Sequence, residues 1–110
     1  MIEVTIRLDD SGVLSGIRAT GHSGAAARGH DVVCASASVL LRTLGRVVEA
    51  RRGIDVKGSA DSRGEFFLEI GSVEDTEYCW LRGVTAFVVA GLADLETEYP
   101  EYCSVSFKKS

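Results

Sequence analysis

MIEVTIRLDDSGVLSGIRAT, residues 1–20, decides how the fold begins. Ile2, Val4, Ile6 and Leu8 alternate with Glu3, Thr5 and Arg7, the period of two that puts one face of a strand in a core and the other in water. Asp10-Ser11-Gly12 supplies the turn, and Val13–Thr20 reads as a second strand folding back as a hairpin. Gly16 interrupts that second run, where it marks a bulge.

Working outward, Gly21, Gly24 and Gly29 punctuate a segment with neither alternation nor an apolar face, which reads as a loop. From Val33 the apolar residues Val33, Ala37, Leu40, Leu41, Leu44, Val47 and Val48 recur at steps of three and four, predicting an amphipathic helix to about Arg52. Asp31 is the expected N-cap and Gly53 the expected C-terminal cap. Ile54–Gly58 and Glu65–Ile70 read as a second hairpin joined by SADSRG. Ser72 and Asp75 resemble a capping box ahead of a second helix, whose buried stripe is Leu81, Val84, Val88, Gly91, Leu92 and Leu95 and which stops near Tyr99-Pro100. Gly83 and Gly91 in that helix are read as points of close backbone approach. Tyr102–Phe107 forms a last strand, with Lys108–Ser110 as a solvated tail.

The resulting order is ββαββαβ over a single domain, residues 1–110. It predicts an α+β, two-layer fold of about five strands with two helices on one face of the sheet. A sheet left bare on its other face asks for a second copy to cover it. Length and composition agree: 110 residues, 45% hydrophobic and 25% charged, suffice for one buried core. The net charge of −4 argues against a direct nucleic-acid partner. No run of 18 apolar residues and no leader-like N-terminus occurs, so the reading is of a soluble, cytoplasmic chain with no membrane partner. Cys34, Cys79 and Cys103 are odd in number and widely spaced, which disfavours a disulfide framework.

The chemistry sits in Gly21–Ser38, GHSGAAARGHDVVCASAS, which carries a histidine and a cysteine on either side of the glycine-rich loop. With Asp31 as cap, Cys34 occupies the first turn of the helix, where free amides and the positive dipole end favour a thiolate. That effect is typically 0.3–1 kcal/mol, below the roughly 1.4 kcal/mol of one pKa unit, so a second cation is needed. His22 supplies it. Asp31 either caps the helix or orients the His22 ring. Ser38, one turn beyond Cys34, either bonds the sulfur or the ring, or satisfies a carbonyl of its own helix. The competing reading makes Cys34 a small buried hydrophobe, the role assigned to Cys79 and Cys103, with His30 a solvated residue beside the cap. A zinc set of His22, His30 and Cys34 lacks an obvious fourth ligand, and no metal or cofactor is expected. A thiol-redox role lacks a nearby resolving cysteine.

Gly21-His22, Gly29, Asp31-Val32-Val33-Cys34-Ala35 and Ser38, together with the opening MIEVTI and its hairpin, resemble the signature of the bacterial ribosomal-processing cysteine proteases, the Prp family. The resemblance implies an α+β homodimer with a His22–Cys34 catalytic dyad, Asp31 and Ser38 in support, and a mobile substrate loop containing Gly21, Gly24 and Gly29. It also implies a substrate: the precursor of large-subunit ribosomal protein number twenty-seven, from which a short N-terminal extension is removed. The alternative function is a dimeric interaction module that binds a ribosomal protein or assembly factor without cutting it.

Overall fold

The computed structural model describes residues 1–21, 28–60 and 65–110, and for residues 28–31 the backbone alone. The alternation of the first twenty residues produces β1 (Ile2–Leu8) and β2 (Leu14–Thr20), paired antiparallel. Ile2, Val4 and Ile6 are buried as their period requires. The bulge falls at the expected glycine: Arg7 pairs with Gly16 but Leu8 pairs with Leu14, so Ser15 is the extra residue. That slip lets both Leu14 and Ile17 face the core, three positions apart rather than two or four.

Then follow α1 (Arg28–Glu49), β3 (Ile54–Ala60), β4 (Phe66–Val73), a 3-10 turn (Asp75–Glu77), α2 (Tyr78–Glu98) and β5 (Cys103–Lys109). The order ββαββαβ is the expected one. The strands form one five-stranded mixed sheet, β3-β4-β2-β1-β5, antiparallel throughout except for the parallel β1–β5 pair. One face of this sheet and both helices share a single core: Val33, Ala37, Leu41, Leu44 and Val48 of α1 and Leu81, Val88, Leu92 and Leu95 of α2 cluster with Ile6, Ile17, Leu68 and Cys103 of the strands.

Several boundaries differ from the sequence reading, each for a local reason. α1 begins three residues upstream of Asp31 and ends at Glu49, so Asp31 is not its N-cap. Gly53 has no positive φ and is not a left-handed cap; a side chain there would strike Glu74 and Glu77, and its carbonyl accepts the Glu74 amide at 2.8 Å. The Ser72–Asp75 capping box does not form: β4 runs through Ser72, and α2 is entered from the 3-10 turn with no side-chain cap. Lys108 and Lys109 belong to β5 rather than to a tail, because the parallel ladder with β1 extends to Leu8–Lys109. Edge strand β5 has one of its amides closed by a helix side chain, Val105 N–H donating to Glu96 Oε2 at 2.8 Å.

The buried stripe of α2 is Leu81, Thr85, Val88, Leu92 and Leu95, steps of four and three with a threonine inside. Thr85 Oγ1 donates to Leu81 O at 2.7 Å and accepts from the amide of Leu14 at 3.0 Å, satisfying a buried backbone group beside the bulge. Of the two helix glycines, Gly91 has a near neighbour, but a side chain rather than the expected backbone: a Cβ there would lie 2.9 Å from Leu40 Cδ2. Gly83 faces open space. Asp75–Glu98 is apolar and long enough to cross a membrane by composition, yet its heptad-spaced stripe is buried in the chain's own core.

On the open face of the sheet, Arg7 reaches across β2 to Glu69 at 2.8 Å. Gly16 stands between them as the cross-strand partner of both, and a Cβ there would collide with the Arg7 guanidinium. The ion pair spans a whole strand because the strand is bare at that position.

Candidate active site

The site begins where β2 leaves the sheet. Thr20 makes the last pairing with β1, opposite Glu3, and Gly21 follows with φ +102°. A Cβ at Gly21 would run into the Met1 carbonyl, so glycine is required twice over, by its dihedral and by its neighbour. His22 is the next residue; it and Gly24 lie outside the described residues. Gly29, read as part of the loop, is instead the second residue of α1.

Cys34 is the seventh helical residue of α1. It therefore sits in the second turn, beyond the four amides that a helix leaves free. The dipole effect of a helix is concentrated on those first-turn amides. The sequence expectation that Cys34 stands on the first turn of its helix is corrected here: it stands on the second.

The three thiols are free and differ in setting. Cys34 is half-buried, packed against the core edge with its remainder open. Cys103 is 1% exposed, and burial, aided by the Glu96 carboxylate, pushes its pKa up, which makes it inert. Cys79 is exposed on the first turn of α2, contrary to the buried role expected of it. Ser38, one turn beyond Cys34, is exposed. For the zinc alternative, the side chains of His22 and His30 lie outside the described residues.

The helix face that carries Cys34 continues through Ser38, Arg42, Gly45 and Glu49, which fall within an arc of about 80° at 100° per residue. Beside its C-terminal half runs a groove of about 310 Å³ between α1 and the β3–β4 hairpin, with Val56, Phe66 and Leu68 among its lining. Sequence reasoning missed this groove. Its one signal was Gly45, a glycine in the middle of an otherwise regular helical pattern.

The profile of the cysteine protease Prp family matches residues 1–104. The chain superimposes on the ribosomal processing protease Prp from S. aureus in complex with a substrate peptide, with TM-score 0.81 and 25% identity over 98% of this chain and 100% of that one. The same protease with a covalently linked product peptide gives TM-score 0.79 and 26% identity, again over 98% and 100%. SMU.848 from Streptococcus mutans shares the fold, with TM-score 0.79 and 24% identity over 100% and 96%. No curated protein matches the chain in sequence. A match along nearly the whole length, on a fold that places a half-open cysteine on the first helix, leaves one assignment: the chain is a cysteine protease of the Prp family.

Proposed function

We propose that this protease removes the short N-terminal extension of large-subunit ribosomal protein number twenty-seven in the cytoplasm, with Cys34 as nucleophile and His22 as its general base. The observation that carries the reading is the likeness, at 25% identity over the full fold, to an S. aureus protease that holds a substrate peptide. Cys34 suits the role among the three thiols, being neither sealed in the core like Cys103 nor remote on α2 like Cys79.

In this mechanism His22 takes the Cys34 proton, and the thiolate sulfur attacks the scissile carbonyl carbon. The C–N bond breaks as the imidazolium returns the proton to the leaving amine. Water, deprotonated by the same imidazole, then hydrolyses the thioester and restores the thiol. Because Cys34 lies past the free amides of α1, the imidazole carries more of the activation than a first-turn cysteine would demand. Asp31 and Ser38 are assigned supporting roles, Asp31 as ring orienter now that the cap is excluded.

A homodimer belongs to the same reading. Val39 and Val47 of α1 and Phe87 of α2 are exposed, Phe87 at 73%. Val47 and Phe87 line an apolar groove of about 500 Å³ together with Leu40, Leu44, Trp80 and Val84. Such a surface suits a second copy.

The test is incubation of the purified chain with the matching precursor, followed by mass spectrometry. Loss of the extension by the unsubstituted chain and its retention with Cys34→Ala or His22→Ala is expected; equal trimming by Cys34→Ala would remove the thiol from the mechanism.

A further inference from the structure

Gly45 is an anomaly. A mid-helix glycine costs about 1 kcal/mol relative to alanine, and the usual compensation is closer approach of a neighbour. Among the described residues no such approach exists here: a Cβ at Gly45 would meet Phe66 Cε2 and Cζ at 3.8 Å, ordinary contact. A methyl group fits, so the absent side chain serves the space rather than the packing. That space is the groove between α1 and the β3–β4 hairpin. Its volume, about 310 Å³, falls at the lower end of the roughly 300–1,000 Å³ usual for ligand sites. Val56, Phe66 and Leu68 give it an apolar lining, and Arg42 and Arg46 on the helical wall offer guanidinium donors to a peptide carbonyl.

The groove lies on the Cys34 face of α1. Arg42 and Gly45 follow Cys34 by eight and eleven residues, which at 1.5 Å per residue is about 12–16 Å along the helix. An extended peptide advances about 3.3 Å per residue, so it covers that distance in four or five. Ser38, exposed and intermediate in position, continues the same helix face between them. From this continuity we infer that the groove is a specificity subsite, receiving an apolar side chain of the substrate peptide four or five residues from the bond that Cys34 cleaves. The inference rests on the proteolytic reading above and adds to it a length requirement and a residue preference.

The experiment compares cleavage of two synthetic peptides spanning the scissile bond of the precursor, one reaching about six residues to each side and one about three, by the unsubstituted chain and by Gly45→Leu. A leucine side chain would occupy the groove. The expected result is a roughly tenfold fall in kcat/KM for the long peptide, carried by KM, the size of effect that one apolar contact supplies. That loss disappears with the short peptide, and the alkylation rate of Cys34 stays the same. Replacing the apolar residue at the fourth or fifth position of the long peptide by serine reproduces the loss in the unsubstituted chain and identifies the flank. Gly45→Ala, which the 3.8 Å clearance admits, gives a smaller loss with a higher melting temperature and guards against a folding defect in the leucine variant. If the unsubstituted chain cleaves both peptides and Gly45→Leu matches it within about twofold on the long one, the subsite is overturned while the protease stands. If the unsubstituted chain cleaves neither, the processing reading falls and takes the subsite with it.

Discussion

The two helices are of nearly equal length, 22 and 21 residues, and cover the same sheet, yet they are built differently. α1 is strongly amphipathic: its core stripe is apolar and the face bearing Ser38, Arg42 and Glu49 is polar and open. α2 carries a second apolar patch beside its stripe: Leu81, Val88, Leu92 and Leu95 are buried, Trp80 and Val84 are half-buried and Phe87 is exposed. One side of α2 is explained by the core; the other is surplus to it. On the proposed function the polar face of α1 serves the chemistry, and the outer apolar patch of α2, joined by Val39 and Val47 of α1, serves association. A helix that carries a nucleophile must keep a polar face accessible to substrate, whereas a helix with a second apolar face is suited to a second protein surface.

This division can be broken most sharply at the cysteines. Cys34→Ala on α1 is expected to lower the rate of precursor trimming by at least about a thousandfold, as loss of a covalent nucleophile does, whereas Cys79→Ala on α2 leaves it within about twofold. Comparable losses in steady-state assays would mean that both helices contribute to the reaction.

Stability separates the faces next. Leu92→Ala, at a position with no exposure, is expected to cost about 2–5 kcal/mol in denaturant unfolding. Val39→Ala, 68% exposed, is expected to stay within about 0.5 kcal/mol. A large cost at Val39 would show that the outer face is already packed in the isolated chain.

Association sharpens the reading of α2. Phe87→Asp places a charge in the exposed apolar surface, so sedimentation is expected to show a monomer for the variant against the proposed dimer for the unsubstituted chain, with the melting curve of the dilute protein little changed. A dimer that persists would move the interface elsewhere, the open sheet face with its Arg7–Glu69 pair being the next place to look.

The smallest effect concerns Cys103, which packs behind α2. Its thiol is neutral in the fold, its pKa raised chiefly by burial and then by Glu96. The unfolded chain releases that proton above about pH 8.5, so the unfolded state binds fewer protons there and stability declines as the pH rises past that point. Cys103→Ala should flatten this alkaline limb of the stability profile without moving the acid limb. An unchanged limb would assign the alkaline loss to other groups.

Much of this was legible in the residues. Periodicity gave all five strands and both helices in order, because alternation and three-to-four spacing follow directly from strand and helix geometry. Gly16 was readable as a bulge for the same reason. The ends were not: α1 starts at Arg28 although Asp31 has the better capping side chain, and β4 overruns Ser72, because ladder and core contacts outweigh about 1 kcal/mol of capping preference. Thr85 does not read as core by residue type although its place in the sequence Leu81, Thr85, Val88, Leu92, Leu95 is regular; the neighbouring Leu14 amide explains a polar residue there.

For the site, the chain alone brought Cys34 forward through its company, Gly21-His22 and Asp31-Val32-Val33-Cys34, since local motifs carry chemistry in residue type and spacing. The sequence by itself thus determined which elements form, in what order, and which thiol to suspect. Tertiary structure alone decided that Cys34 lies beyond the free amides of its helix, that Cys103 is sealed and Cys79 open, and that Gly45 borders a groove rather than a neighbour. The physical reason is that burial and clearance are set by residues distant along the chain, such as Phe66 beside Gly45 and Glu96 near Cys103, and local pattern holds no record of which distant residue will arrive.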